Sequence, residues 1–377
     1  MEPALASKLA GWRRHLHAHP ELSRHEAETA AFVRARLDEL AIPYEHGIGG
    51  HGIVATLKRG QSNRSVGLRA DMDALPIEEL TGLPYASSSP GVMHACGHDG
   101  HTISLLGAAT LLHRDTDWSG TIQLIFQPAE EGAGGALAML ADGVLDRFPF
   151  ERVFAYHNWP GLPLGTVAVH TGPVMAAASW LEITMDGQAG HAGMPHLTRD
   201  PVLAAAHALV ALQSIIARNI NPVDSAVLSI CTLEAGNATN QIPQRTTMRG
   251  TFRTHRQTVR EAMSEDIPRV VHGVAAAMGV NASVTIRHGT PATVNPADEA
   301  AFAAEVAATL KLPVLQNLAP SMAAEDFGVY LLSRPGAFVW IGNGDSSGLH
   351  SPNYDFNDAL LPTAATYLAA LAKEALA

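Results

Sequence analysis

Two cysteines in 377 residues cannot build a disulfide framework, and a reducing cytoplasm is the expected compartment. No apolar run approaches the roughly 18 to 20 residues of a membrane helix, so no membrane partner is expected. Near its start, "MEPALASKLAGWRRHLHAHPELSRHE" carries charge and histidine where an export signal has an apolar stretch. Basic residues are scarce as well. Lys and Arg number 25 against 36 Asp and Glu, a net charge of −11, and no basic stripe offers itself to nucleic acid. Internal repeats and low-complexity linkers are absent. What the chain has instead is histidine, 19 in all, and 47% hydrophobic residues. The first raises the prospect of metal chemistry without locating it. The second supplies ample core, and the length suggests two domains.

The order of apolar patterns supports that division. After a helical first 40 residues come short apolar β-type runs that each end in polar residues: "SVGLRADMD", "TIQLIFQPAEE", "RVFAYHN" and, much later, "GAFVWIGNGD". Helical stretches such as "TISLLGAATLLHR" lie between them. This alternation predicts an α/β catalytic domain with a largely parallel central sheet flanked by helices. In such sheets ligands bind beyond the carboxyl ends of the strands. The middle section reads β-α-β-β-α-β, the pattern of a ferredoxin-like α+β module. The expected organisation is therefore a catalytic domain at 1–178 and 291–377, with an inserted domain at 179–290.

The polar clusters fall at the strand ends. In "MHACGHDGHT", residues 93–102, an extended backbone would put His94, Cys96 and His98 on one face. Asp99 is expected to cap the following helix, with His101 on its first turn. A redox role is weak, because Cys231 belongs to the inserted domain; a Cys–His nucleophile remains open. Glu130 and Glu131 follow a strand that Pro128 stops. Adjacent residues point in different directions, so one glutamate can bind a metal while the other serves as general base. His157 follows a third strand, and His350 lies in a Gly- and Pro-flanked turn after the last. Cys96, His98, Glu131, His157 and His350 make five N, S and O donors. That number suits two ions sharing a ligand better than one tetrahedral site. Asp71 and Asp73 end another strand, placed to orient ligand imidazoles.

Taken in order, "RADMDAL", "MHACGHDGHT", "QPAEEGAGGA", "HN", "GHAGMP", "NQIP", "GTFR", "AAEDFG" and "GLHSP" span nearly the whole chain. The sequence resembles the amidohydrolase branch of the dinuclear metallo-aminoacylase and carboxypeptidase family. That branch includes hippurate hydrolase, N-acyl-amino-acid amidohydrolases and the plant auxin-conjugate hydrolases. The resemblance implies that Cys96 bridges two divalent ions (zinc, manganese, or cobalt or nickel), that His98, Glu131, His157 and His350 complete their shells, and that Glu130 is the general base. It also implies that the insertion is a lid that mediates dimerisation, with His191 reaching a neighbouring subunit's site and Asn240 and Arg253 contacting substrate. The implied substrate is an N-acyl amino acid; a dipeptidase or carboxypeptidase, or a non-catalytic metal-binding module, is the alternative. Many relatives carry His-x-Asp where this chain has Asp71-Met72-Asp73, so His98 is inferred to supply the missing imidazole.

Overall fold

The computed structural model describes residues 1–132, 134–316 and 318–377. The chain divides into two compact units: Met1–Val174 with Val294–Ala319 and Asp326–Ala377, and Met175–Thr293 with Pro320–Glu325.

The first unit is built on an eight-stranded sheet. Its strands run in the order Tyr44–Ile48, Gly52–Arg59, Gly120–Gln127, Ser65–Asp71, Arg152–Pro160, Gly336–Gly344, Val167–Val169, Val314–Gln316. The four strands from Gly120–Gln127 to Gly336–Gly344 are mutually parallel. The outer pairings add three antiparallel contacts and one parallel contact. These central strands are apolar and buried along nearly their whole length, as a sheet covered on both faces requires. Because they run together, Asp71 pairs with Gln127 and His157 with Trp340, so their carboxyl ends share one edge of the sheet. Helices Pro3–Ala18, His98–Arg114 and Leu361–Leu376 pack together beside the sheet. They meet tightly at Gly107, where a Cβ would stand 2.8 Å from Ala365 Cβ and 2.9 Å from Leu9 Cδ1. Glycine is required there by close approach, not by backbone conformation.

The second unit is a four-stranded antiparallel sheet in the order Ala226–Ala235, Arg245–Thr254, Ala177–Asp186, Asn281–His288. Helices Pro201–Ser214 and Gln257–Met278 cover one face, burying Leu181, Ile183, Met185, Leu212, Phe252 and Met263 in one core. The alternation of Leu181, Ile183 and Met185 with Trp180, Glu182 and Thr184 gives the sheet its dry and wet faces. Asp200 caps the first helix, accepting from the Val202 and Leu203 amides, with Pro201 at its first position. Helical structure here continues to Asn219 and does reach membrane-spanning length, contrary to the expectation from the sequence. Its Ala204, Ala205, Ala208, Leu212 and Ile215 are buried in the unit's own core, which accounts for the apolar composition.

Candidate metal centre

The "MHACGHDGHT" stretch turns sharply at Gly97. The glycine has φ +89°, and a Cβ there would collide with the Asn158 amide and the Tyr354 hydroxyl. Asn158 Nδ2 donates to the Cys96 carbonyl at 2.7 Å, and the Tyr354 hydroxyl donates to Asn158 Oδ1 at 2.6 Å. The helix begins at His98 with Gly97 as its N-cap, two residues earlier than Asp99 capping would need. Asp99 is no cap. It is a buried carboxylate inside the first turn that accepts from His17 Nδ1 at 2.8 Å and lies 3.8 Å from Arg13 Nη1. His94, expected on one face with Cys96 and His98, is not among the donor groups that those two join. It is buried beside His17, and both ring nitrogens lack a hydrogen-bond partner among the described residues. Burial holds its pKa down, at about 4.

The two ring nitrogens of His157, and those of His98, face different partners. His157 Nδ1 donates to the Asn158 carbonyl at 2.6 Å, which leaves the Nε2 lone pair facing Cys96 Sγ at 3.3 Å. His98 Nδ1 donates to the Asp73 carbonyl at 2.9 Å, and Nε2 looks toward Glu131 Oε1 at 3.9 Å. His101 is spent on both sides: Nδ1 donates to Asp71 Oδ1 at 2.6 Å and Nε2 accepts from the Asn158 amide at 3.0 Å. It is a brace, with no nitrogen left for a metal. The two aspartates expected to orient ligand imidazoles therefore differ. Asp73 steers His98 through its backbone carbonyl, whereas the Asp71 carboxylate grips His101 and Arg69 and stays 3.8 Å from His98 Nε2.

After Gln127 the chain turns with Ala129 in the left-handed region, φ +57°. The Asp73 carboxylate then takes the Glu130 amide on one oxygen and the Glu131 amide on the other, each at 3.0 Å. The two side chains part company. Glu130 Oε1 accepts from the Asp326 amide at 3.3 Å, and Glu131 Oε1 lies 3.4 Å from His350 Nε2. His350 is itself left-handed, φ +62°, a conformation that costs a residue with a side chain roughly 1 kcal/mol or more and clusters at functional sites. Its amide is held by the Ala95 carbonyl at 2.8 Å.

The donor atoms of Cys96, His98 and His157 lie within 4.8 Å of one another, and so do those of Cys96, Glu131 and His350. Cys96 belongs to both sets, which is the arrangement a bridging ligand needs. Two observations test the fit of cations here. His98 Nε2 and Glu131 Oε1 are buried with no hydrogen-bond partner among the described residues. Burial, together with Glu131, Glu130 and Asp71, pushes the Cys96 thiol well up. Opposing burial, Asp71, Asp73 and Glu131 push His98 up to about 10. The pocket thus carries surplus negative charge that a bound cation would offset.

A second layer of the site has only a faint mark in the sequence. Arg69, buried in its strand, donates to Asp71 Oδ2 at 2.7 Å, Gln127 Oε1 at 2.9 Å and Asp326 Oδ1 at 2.9 Å. A lone arginine inside the apolar run "SVGLRAD" is the signal that could have found it. His191, Asn240 and Arg253 belong to the second unit. His191 is exposed, its Nδ1 accepting from the Gly193 amide at 3.0 Å, which leaves the proton on Nε2. The Asn240 carbonyl holds the Ala192 amide at 3.0 Å, so residues 240 and 191 are neighbours. Arg253 is half-buried, 6.0 Å from the Trp180 ring centroid.

Comparison with known proteins places the whole chain in one family. Residues 67–374 match the model of peptidase family M20/M25/M40. An N-acetyl-L-cysteine deacetylase of Bacillus subtilis is 40% identical over 99% of this chain and 89% of its own length. The hippurate hydrolase of Campylobacter jejuni is 41% identical over 96% of this chain and 94% of its own. The crystal structure of the Bacillus subtilis YXEP protein, described as a dinuclear metal binding peptidase from the M20 family, superposes with a TM-score of 0.89. It is 37% identical and covers 100% of this chain and 99% of its own. A match this long in both sequence and structure makes the chain a member of peptidase family M20/M25/M40.

Proposed function

We propose that the protein is a metal-dependent amidohydrolase that cleaves N-acyl amino acids to a carboxylic acid and a free amino acid. The observation that carries this reading is the divergence of Glu130 and Glu131 from one turn. Glu131 faces the Cys96 and His350 donors, and Glu130 stands beside them within reach of the same pocket. The deacetylase and hippurate hydrolase relatives act, by name, on substrates of this class.

Cys96, His98, Glu131, His157 and His350 would hold two divalent ions, with Cys96 shared. When bound, the ions supply Lewis-acid polarisation of the acyl carbonyl and acidify an attacking water. Glu130 would take a proton from the attacking water and return it to the departing amine. The Asp326 amide keeps the Glu130 carboxylate turned toward this task. His191, protonated on Nε2, donates to the oxygen that gains charge as the carbonyl is attacked. Asn240 and Arg253 engage the substrate's amide and carboxylate, the latter suited to the paired donors of a guanidinium.

We assign the second unit the role of lid and place dimerisation there with a second copy of the chain. Its edge strand Ala226–Ala235 exposes Val227 and Leu233, and the adjoining helix exposes Leu203 and Val210. Light scattering is expected to report a dimer, in which His191 serves the neighbouring subunit. With only two cysteines and neither in a disulfide, we place the protein in the cytoplasm, which cell fractionation tests. For the reaction, purified protein loaded with zinc, manganese, cobalt or nickel should release free amino acid from hippurate or N-acetyl amino acids. Turnover of dipeptides alone would instead make it a peptidase, and no turnover of either class with any metal would end the proposal.

A further inference from the structure

The turn that carries Glu130 and Glu131 is clamped from the amino-terminal end of the chain. Residues 21–26 run beside the end of the strand Ser65–Asp71: the Ala74 amide donates to the Glu21 carbonyl at 2.8 Å, and Leu22 bridges Ala74. From that segment Ser23 donates to Asp73 Oδ2 at 2.5 Å. Glu26, fully buried at the start of the helix Ala27–Glu39, accepts the Ala129 amide on Oε1 at 2.8 Å and the Arg24 amide on the same atom at 2.9 Å. Ala129 is the residue with φ +57°, and its carbonyl is taken by the Gly135 amide at 2.9 Å. Glycine is needed at 135 because a Cβ would strike the Pro128 carbonyl. A buried carboxyl group is expensive to keep, and none of the chemistry proposed above uses this one.

We propose that Glu26 is a positioning residue for the catalytic turn. Its carboxyl oxygen holds the Ala129 amide, and so fixes the left-handed backbone from which Glu130 and Glu131 diverge. Asp73 secures the next two amides in the row, so three consecutive N–H groups, at 129, 130 and 131, are each held by a carboxylate. Without Glu26 the Ala129 peptide is free to relax toward ordinary backbone, and both glutamates swing with it. What the role requires is an acceptor, not a charge. Burial pushes the Glu26 pKa up against its backbone hydrogen bonds, toward the neutral form that a glutamine imitates.

The inference rests on Glu130 and Glu131 having the roles proposed above, and its test reads the turn in two ways. Wild type, Glu26→Ala and Glu26→Gln are compared for kcat and KM on N-acetyl amino acids, and for the visible absorption of the cobalt(II)-loaded protein. The alanine variant should lose about 100-fold in kcat with a KM change under about threefold, and its cobalt bands should shift as Glu131 moves. The glutamine variant should stay within about threefold of wild type with an unshifted spectrum. Glu26→Asp, whose acceptor is withdrawn by one methylene, replaces alanine where that chain does not fold. Wild-type kcat and spectrum in the alanine or aspartate variant would overturn the proposal, as would a glutamine variant as impaired as alanine. If wild-type protein hydrolyses no N-acyl amino acid, the proposed function fails, and the cobalt spectrum alone decides the role of Glu26.

Discussion

Cys96 Sγ lies 3.3 Å from His157 Nε2, and the other nitrogen of that ring is committed to the Asn158 carbonyl. The imidazole is therefore held neutral with its lone pair toward the sulfur, and burial, with His101 nearby, keeps its pKa well below the usual range. A cysteine nucleophile would need its histidine to accept a proton in turn. A pair of metal ligands needs the imidazole neutral and the thiol ionised by the cation.

These two possibilities separate in one experiment. With ions bound, Cys96 should resist a thiol alkylator, and a chelator should abolish activity. The chelator should also lower thermal stability, because an ion present at 100 times its Kd contributes about 2.7 kcal/mol to the folded state. Inactivation by the alkylator in metal-loaded protein, with indifference to the chelator, would return the cysteine to the role of nucleophile.

Glu130→Gln keeps the shape of the side chain and removes the base. The expected result is a fall in kcat of about 10²- to 10⁴-fold, the range of general-base contributions, with metal content unchanged by elemental analysis. Loss of metal alongside activity would instead make Glu130 a ligand, a role that its approach to Glu131 and His98 makes worth checking.

How much of the site is legible in the sequence depends on the kind of interaction. Of the five residues expected at strand ends, Glu130 and Glu131 do follow the strand Gly120–Gln127. His157 instead lies inside Arg152–Pro160, Cys96 lies in the loop before the helix His98–Arg114, and His350 lies six residues beyond Gly336–Gly344. Local patterns can mark a strand's end only to within a few residues. The inserted module shows well, since Leu181, Ile183 and Met185 alternate as a half-buried sheet must. Asp99 reads wrongly as a cap because a helix-capping signal and a buried ion pair look alike in sequence. What decides between them is His17, 82 residues away. His94 joins neither donor group that holds Cys96, and residues 94–97 form no strand, so the alternation of a strand does not govern them. Asp326 lies 257 positions from Arg69, and no local pattern links them.

Asp73→Asn tests the turn from its other side. One of the two oxygens becomes an NH₂ group that faces a backbone N–H, so the Glu130 or the Glu131 amide loses its acceptor. A buried donor left unpaired costs about 1–3 kcal/mol, and the turn that carries both glutamates loosens. The variant should show a stability loss of that order by urea unfolding and bind metal more weakly. Wild-type stability and metal affinity together would remove Asp73 from the architecture of the site.

His17 makes a prediction about pH that does not involve the metal pocket directly. Burial disfavours its imidazolium, but Nδ1 donates to Asp99 at 2.8 Å and Nε2 to Glu79 at 3.3 Å, and the two carboxylates outweigh both burial and the repulsion of Arg13. Its pKa is pushed up to about 9. A folded-state value above the unfolded 6.5 means that the folded chain holds this proton more tightly. The stabilisation is fully present below pH 6.5 and is lost as pH rises through 9. A tenfold tighter hold on a proton is worth about 1.4 kcal/mol, so the full effect is on the order of 3 kcal/mol. Urea unfolding between these pH values should show wild type losing stability along that slope. His17→Gln, which can still donate one hydrogen bond but carries no charge, should be less stable at pH 6 and much flatter above it. The two curves should converge near pH 9 and beyond; parallel curves across the whole range would mean that His17 stays neutral, and that Arg13 alone balances Asp99.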